Sequence, residues 1–298
     1  MPAALRPALF RRNALSAPDI SARIARLFIY PVKSCAGVEL REAVLTETGL
    51  DLDRAWMVVD EAGEFVSQRE LPRMALVKPQ LKVHEVVLRA PGMLALHLQI
   101  DTVEEPARVR IWDDVVDAYD MGAVAAQWFS DFPGCKLRLV RFDPDHRRLS
   151  SRKWTGDIEA PNQFSDGFPL LVASQGSLDL LNEKLAARGH AAVGMERFRP
   201  NIVLSCVEAH DEDRVAMFEV AAGQPVLLQP VKPCARCPIP NVDPVTAHVD
   251  PAVGDALQGY RQNERLKGAV SFGMNLVIAD GIDQVLRVSQ TVTADYHF

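Results

Sequence analysis

No apolar run in the 298-residue sequence approaches the roughly 20 residues a helix needs to cross a bilayer, so no transmembrane segment is expected. A basic excess is also missing: 33 Lys and Arg stand against 39 Asp and Glu, a net charge of -6, which argues against general nucleic-acid binding. Only five cysteines are present, an odd and widely spaced set (Cys35, Cys135, Cys206, Cys234, Cys237). With no secretory signal before them, they do not form a secreted disulfide framework, and the chain reads as cytoplasmic with reduced thiols. Neither a Walker A motif nor GxGxxG occurs, which removes the ordinary nucleotide fingerprints. What is there is ordinary for a globular protein, 48% hydrophobic and 24% charged, and long enough for a full core.

The first 21 residues carry arginines and no acid before Asp19. They resemble a weak transit peptide, but their apolar stretch is too short for a secretory signal, and they read as an extension ahead of the first strand. Residues 24–33, "IARLFIYPVK", predict a strand running into a loop, and "AWMVVDEAGEFVSQRE" a hairpin. Short strands punctuated by Gly and Pro follow to Ile111, then a helix over "AVAAQWFSDF" and a strand from Cys135 to Phe142. More than twenty polar residues from Asp143 form a crossing between halves that also lines a site. Beyond it come the strand "PLLVAS", a helix capped by Ser174 and ended by Gly189, the strand "FRPNIVLSC" and the hairpin "MFEVAAGQPVLLQPVK". A helix over "DALQGYRQNERLKG" and two closing strands complete the pattern. Because neither half alternates βαβ, the fold class is α+β and strand-rich, with antiparallel or barrel-like sheets.

Chemistry concentrates in "QPVKPCARCPIPNVDP", Gln229 to Pro244, whose opening echoes "PVKSC" at Pro31 to Cys35. A CxxC pair is half of a tetrahedral zinc site, but no second CxxC or close His pair completes it. A thioredoxin-type redox pair opens a helix, and Pro238 and Pro240 oppose one here. Two small buried thiols in a turn, or a thiolate presented on a proline-stiffened loop beside Lys232 and Arg236, remain. Such a thiolate suits a soft metal. Asp243 either moves a proton or makes an Asx turn before Pro244. Lys33, Ser34, Arg54, Arg69, Arg199, Asn201 and Arg236 together would form a cationic pocket suited to a phosphate and a polar heterocycle.

"IARLFIYPVKSCAGVEL", "TETGLDLDRAWMVVDEAGEFVSQRE", "FRPNIVLS" and "PCARCPIPNVDP" occur in an order that resembles the MOSC family. The similarity is to its form with an N-terminal β-barrel-like domain, as in the mitochondrial amidoxime-reducing components and their bacterial counterparts. It implies an extension over 1–21, an N-terminal β-barrel-like domain over 22–147, and a MOSC β-barrel domain with a few helices over 148–298. It also implies a molybdenum cofactor, Mo-molybdopterin, whose metal is held by one cysteine. By that resemblance Cys237 is metal ligand and catalytic residue, and Lys33, Ser34, Arg54, Ser165, Arg199, Asn201 and Arg236 bind the cofactor. Asp243 becomes a catalytic proton carrier.

The implied activity is reduction of N-hydroxylated compounds with electrons from a separate ferredoxin-type or flavin partner, since no cysteine follows Cys237 to build an iron–sulfur cluster. Pro240 and Asn241 stand where relatives carry two threonines. A different class of function, a sulfur or cofactor carrier using a Cys237 persulfide, shares the same residues. A pyridoxal phosphate aldimine on Lys33 or Lys232 is disfavoured, since neither lysine lies in a recognisable setting for one.

Overall fold

A computed structural model describes residues 17–102 and 105–297, so residues 1–16 of the extension expected over 1–21 lie outside the described residues, while Ile20 and Ser21 already belong to the first strand. Strand β1 (Ile20–Ile29) alternates inward Ile20, Ala22 and Ile24 with outward Ser21 and Arg23, the period-two pattern of a half-buried strand. After it β2 (Val38–Leu40) pairs back onto β1, and the buried Ala43, Leu45 and Leu50 of β3 (Glu42–Thr46) and β4 (Gly49–Leu50) join the same core. The chain then leaves for a separate body of sheet, with β5 (Trp56–Val59), β6 (Lys78–Leu81), β7 (Glu85–Arg89), β8 (Leu96–Gln99), β9 (Pro106–Ile111), β10 (Asp114–Asp120), helix α1 (Gly122–Asp131) and β11 (Arg138–Phe142). Four of these strands make a sheet in the order β5-β11-β10-β9, and β6-β7-β8 make a meander. Strand β5 is buried along its whole length because both faces are covered. Trp56 and Val58 meet the meander and α1, while Met57 and Val59 meet β9, β10 and Phe164.

The hairpin expected after Trp56 is only partly formed. Asp60 closes a tight turn by accepting the amides of Ala62 and Glu64, but the returning arm keeps a single bridge, Val59 to Phe65. Beyond that bridge the chain is diverted toward the cleft described below.

The second half contains α2 (Arg152–Thr155), β12 (Leu170–Ser174), α3 (Gln175–Ala186), β13 (Ile202–Ser205), β14 (Val215–Val220), β15 (Val226–Ala235), α4 (Ala252–Gln258), β16 (Ser271–Asp280), β17 (Val285–Arg287) and β18 (Thr291–Tyr296). Seven strands close a barrel in the order β13-β12-β16-β15-β14-β18-β1, with β1 returning to β13. Only β12 and β13 run parallel within it. Its interior is filled by residues such as Ile24, Leu27, Phe218, Leu228 and Leu276. Outside, Leu178, Leu181 and Leu185 of α3 and Val253 and Leu257 of α4 pack with Phe28, Phe198 and Phe272. The strand-rich α+β class, with an N-terminal body packed beside a barrel and few helices, therefore holds. Strand β1 is hydrogen-bonded into the barrel of the C-terminal half although it precedes the whole N-terminal body.

Ser174 caps α3 as expected, its Oγ accepting the Ser177 amide at 3.1 Å. The last expected helix starts earlier and ends sooner, because Val253, Ala256 and Leu257 are its buried anchors. After Leu257 the sequence offers only half-buried Tyr260 before a polar run, and Asn263 caps a separate 3-10 turn at Glu264–Leu266.

Gly273 has φ +76°, and a Cβ there would lie 2.5 Å from the backbone oxygen of Val172 on the neighbouring strand. We expect Gly273→Ala to cost about 2 kcal/mol or more, since the clash is with backbone and the φ is strained. Chemical denaturation measures this, and an unchanged midpoint would contradict the barrel register.

His210 lies 5.7 Å from the Tyr260 ring and 5.9 Å from the Phe272 ring, and neither ring nitrogen has a hydrogen-bond partner. Burial, then the charges of Arg261 and Lys184, pull its pKa down to about 3. An unfolded histidine titrates near ~6.5, so below that pH the unfolded state takes up a proton the folded state refuses. This contribution to stability is lost as pH falls from about 6.5 toward 3. The unfolding midpoint of His210→Phe should therefore fall less steeply than wild type between those limits.

Candidate functional site

The segment Tyr30–Ser34 carries the chain from the barrel to the N-terminal sheet. The Lys33 amide donates to Trp56 O (2.8 Å), the Trp56 amide to Pro31 O (3.0 Å) and the Arg54 amide to Tyr30 O (2.9 Å). This stitching leaves a cleft of about 770 Å³, solvent mouth included, between the two bodies. Lys33, Ser34, Arg54 and Arg69 come to it from the N-terminal side, Ser165 and Asp166 from the crossing loop. Arg199, Asn201, Cys234, Arg236 and Cys237 come from the barrel. The echo "PVKSC" thus faces "PVKPC" across one space, although Cys35 itself is fully buried in the N-terminal core.

Five cations line this cleft against one carboxylate, Asp166. The phenol ring of Tyr30 has the Arg54 guanidinium 4.4 Å and the Arg199 guanidinium 4.2 Å from its centre, both cation–π contacts. Arg54 pairs with Asp53, whose other oxygen accepts the Tyr30 amide at 2.7 Å. Burial, then repulsion from Arg54, pulls the Arg199 guanidinium down to about 10. Lys33 is almost fully buried, donates to Phe164 O at 2.9 Å and pairs with Asp166. Burial lowers its pKa, and Asp166 opposes that fall.

Two guanidinium nitrogens in this group, Arg199 Nη2 and Arg236 Nε, are buried with no hydrogen-bond partner among the described residues. The other donors of Arg236 reach Cys234 Sγ and Phe198 O, both at 3.0 Å. Backbone geometry adds a second signal: Ser34, Arg54 and Arg199 have φ of 67°, 54° and 56°. Left-handed conformations at bulky residues are uncommon and cluster at binding sites.

Other expected residues play different parts. Asn201 borders the cleft, but its side-chain amide is committed to backbone, donating to Phe28 O (3.2 Å) and accepting the Leu171 amide (3.1 Å). Ser165 donates to Asn162 Oδ1 at 2.9 Å.

Asp243 is not brought into the cleft with the others. Its Oδ1 accepts the amides of Val245 and Thr246 at 2.8 Å each, and its Oδ2 pairs with Arg197 at 2.8 Å. Burial alone would raise this carboxyl, but those amides and Arg197 outweigh it and hold it below the ordinary aspartate range. The Asx-turn alternative describes these bonds. Pro240 and Asn241 also stay outside the lining; Asn241 Oδ1 accepts the Gly254 amide of α4 at 2.9 Å. Among the described residues no cluster of three or more His, Cys, Asp or Glu can hold a metal, so the two cysteines lack partners for a zinc site.

Sequence reasoning missed Arg148, Asp53 and Asp166. Arg148 is a buried arginine whose Nη1 reaches Asn162 Oδ1 (2.7 Å), Gln163 O (2.8 Å) and Ser165 O (2.8 Å) while its Nε pairs with Asp114. It shapes the crossing loop that supplies Ser165 and Asp166. Nothing in "DPDHRRLSS" separates it from the exposed Arg147 beside it.

With this geometry in place, comparison with known proteins is decisive. Residues 21–135 match the MOSC N-terminal beta barrel domain and residues 159–293 the MOSC domain. The chain belongs to the MOSC family. Among MOSC relatives, human mitochondrial amidoxime reducing component 2 is 34% identical over 248 residues, covering 80% of this chain and 72% of that one. Mouse mitochondrial amidoxime-reducing component 1 is 36% identical over 236 residues, covering 76% and 67%. Zebrafish molybdenum cofactor sulfurase is 31% identical over 76% of this chain, which spans only 29% of that longer protein.

Removing Arg148 from this MOSC chain would take the side-chain donor from the Gln163 and Ser165 carbonyl oxygens and leave Asn162 Oδ1 with only the Ser165 hydroxyl. Arg148→Ala should lose about 2–3 kcal/mol of stability and speed amide hydrogen exchange across Asn162–Asp166. Unchanged exchange there would mean that Arg148 does not hold the loop.

Proposed function

We propose that this MOSC protein is an oxidoreductase that binds a molybdenum cofactor in the cleft and reduces N-hydroxylated compounds such as amidoximes. The observation that carries this reading is the pair of buried, unpartnered guanidinium nitrogens on Arg199 and Arg236, in a cleft that also presents Cys237. A buried N–H without an acceptor costs about 1–3 kcal/mol, and an anionic ligand removes that cost. The donor set fits the group: a thiol for a thiophilic metal, and forked guanidiniums for phosphate and heterocycle edges. The names of the amidoxime-reducing relatives support the same reading.

Cys237 would hold the metal. Arg199, Arg236, Arg54 and Lys33 would hold the anionic and polar edges of the cofactor, and the Ser34 and Ser165 hydroxyls would complete the lining. Asn201 fixes the wall behind them. When bound, the cofactor supplies two-electron oxygen-atom transfer, which no side chain offers. The chain contributes positioning, charge compensation and exclusion of bulk water. Lys33 Nζ is held in place by its bond to Phe164 O and its pairing with Asp166. Electrons come from a ferredoxin-type or flavin protein that docks on this chain. All five cysteines are free thiols. Among the described residues no helix is long and apolar enough to cross a membrane.

The sulfurase relatives favour a second reading, a carrier with a persulfide on Cys237. Purified protein loaded with the cofactor and given a reduced artificial donor should convert benzamidoxime to benzamidine. Cys237→Ser should lower the rate more than about 100-fold. Absence of any N-reduction by the loaded wild type sinks the reductase, and a persulfide adduct on Cys237 without bound pterin favours the carrier.

A further inference from the structure

None of these roles uses the mouth of the cleft, where Trp112 lies. Ile111 of β9 pairs with Asp114 of β10, so Trp112 and Asp113 form a two-residue hairpin loop. Trp112 is the first of the two and has φ 55°, a position that hairpin chemistry gives to Gly, Asn or Asp. For a bulky aromatic residue this is a genuine outlier. Burial does not explain it, because Trp112 remains 43% exposed.

The indole is instead braced. Phe65 meets it edge-on at 4.8 Å and 64°, and the Arg69 guanidinium lies 4.7 Å from its centre and 5.6 Å from that of Phe65. Arg69 Nε is fixed by the buried Ser67, donating to its Oγ at 3.0 Å. Phe65, Arg69 and Trp112 all line the cleft. An exposed aromatic plane held rigid on a strained loop at the entrance of a cationic cleft is a stacking surface prepared in advance.

We propose that Trp112, braced by Phe65 and Arg69, is a specificity-determining residue that stacks on a planar conjugated group carried by the substrate. The proposal rests on the reductase reading of the cleft and names the substrate class within it. Aromatic amidoximes and N-hydroxylated heteroaromatic bases are selected over aliphatic N-hydroxylated compounds. The substrate rather than the cofactor is the partner because Trp112 is an exposed part of the lining, whereas Lys33 and Ser34 are 6% and 3% exposed.

Trp112→Gly separates function from folding, since glycine relieves the left-handed backbone. Its melting temperature should stay within a few degrees of wild type. In cofactor-loaded protein, KM for benzamidoxime should rise about tenfold while kcat and the KM for acetamidoxime change less than about twofold. Trp112→Phe should restore most of the difference, and pterin content, read by fluorescence after oxidation, should match wild type in both variants. Equal losses on the two substrates, or a fall in pterin content, overturn the proposal; the latter would make Trp112 a cofactor contact. Equilibrium dialysis of benzamidoxime and acetamidoxime against the same loaded proteins decides the matter without turnover. If the loaded wild type reduces neither compound, the reductase reading fails alone. Dialysis then supports the stacking role through a selective loss of benzamidoxime binding and overturns it if there is none.

Discussion

The pairing of β1 with β13 is the constraint on which the rest depends. It closes the barrel, and Asn201 secures it by bonding Phe28 of β1 and Leu171 of β12 at once. Two residues beyond Phe28 comes Tyr30, and two residues before Asn201 comes Arg199, so closure itself brings that guanidinium onto that ring. Arg54 is then drawn onto the same ring by the backbone bond between residues 54 and 30. A polar amide buried at a strand junction is costly unless every bond is made. Here the same bonds that satisfy Asn201 also build the cationic wall.

That wall is electrostatically incomplete. Asp53 answers Arg54 and Asp166 answers Lys33, while Arg199 and Arg236 each retain a buried donor with no partner among the described residues. Left-handed backbone at Ser34, Arg54 and Arg199 adds strain at the same place. Proteins tolerate such costs where a ligand later offsets them. Stability and binding are therefore in tension inside this cleft, with the barrel and the N-terminal core supplying the surplus.

Much of this was legible in the sequence because chemistry and spacing coincide there. The "PVKS", "DR", "RPN" and "CARC" segments mark positions that line one cleft, and Ser174 with its leucine stripe announces α3. The hydrogen bonds of Asp243 were not legible, because an aspartate before proline looks alike with or without the Arg197 contact that tertiary packing supplies. Arg148 was invisible since arginines 147 and 148 are adjacent and one is buried by tertiary packing alone. The early start of α4 came from buried contacts at Val253 rather than from local propensity. Trp112 lacked any signal, because nothing in "IWDD" reveals its left-handed backbone.

The barrel's seam also orders events in time. Strand β1 leaves the ribosome first among the barrel strands, yet apart from the short β2 its neighbours are β13 and β18, the latter ending at Tyr296. Until those strands exist, β1 has only the short β2 hairpin arm at its C-terminal end, and the rest of its length, Ile20 to Arg26, waits with its edges open. The N-terminal sheet and meander have mostly local partners and can condense meanwhile. Assembly of this protein is thus discontinuous along the chain: the first strand made is among the last to be locked, and the cleft appears only at that final step.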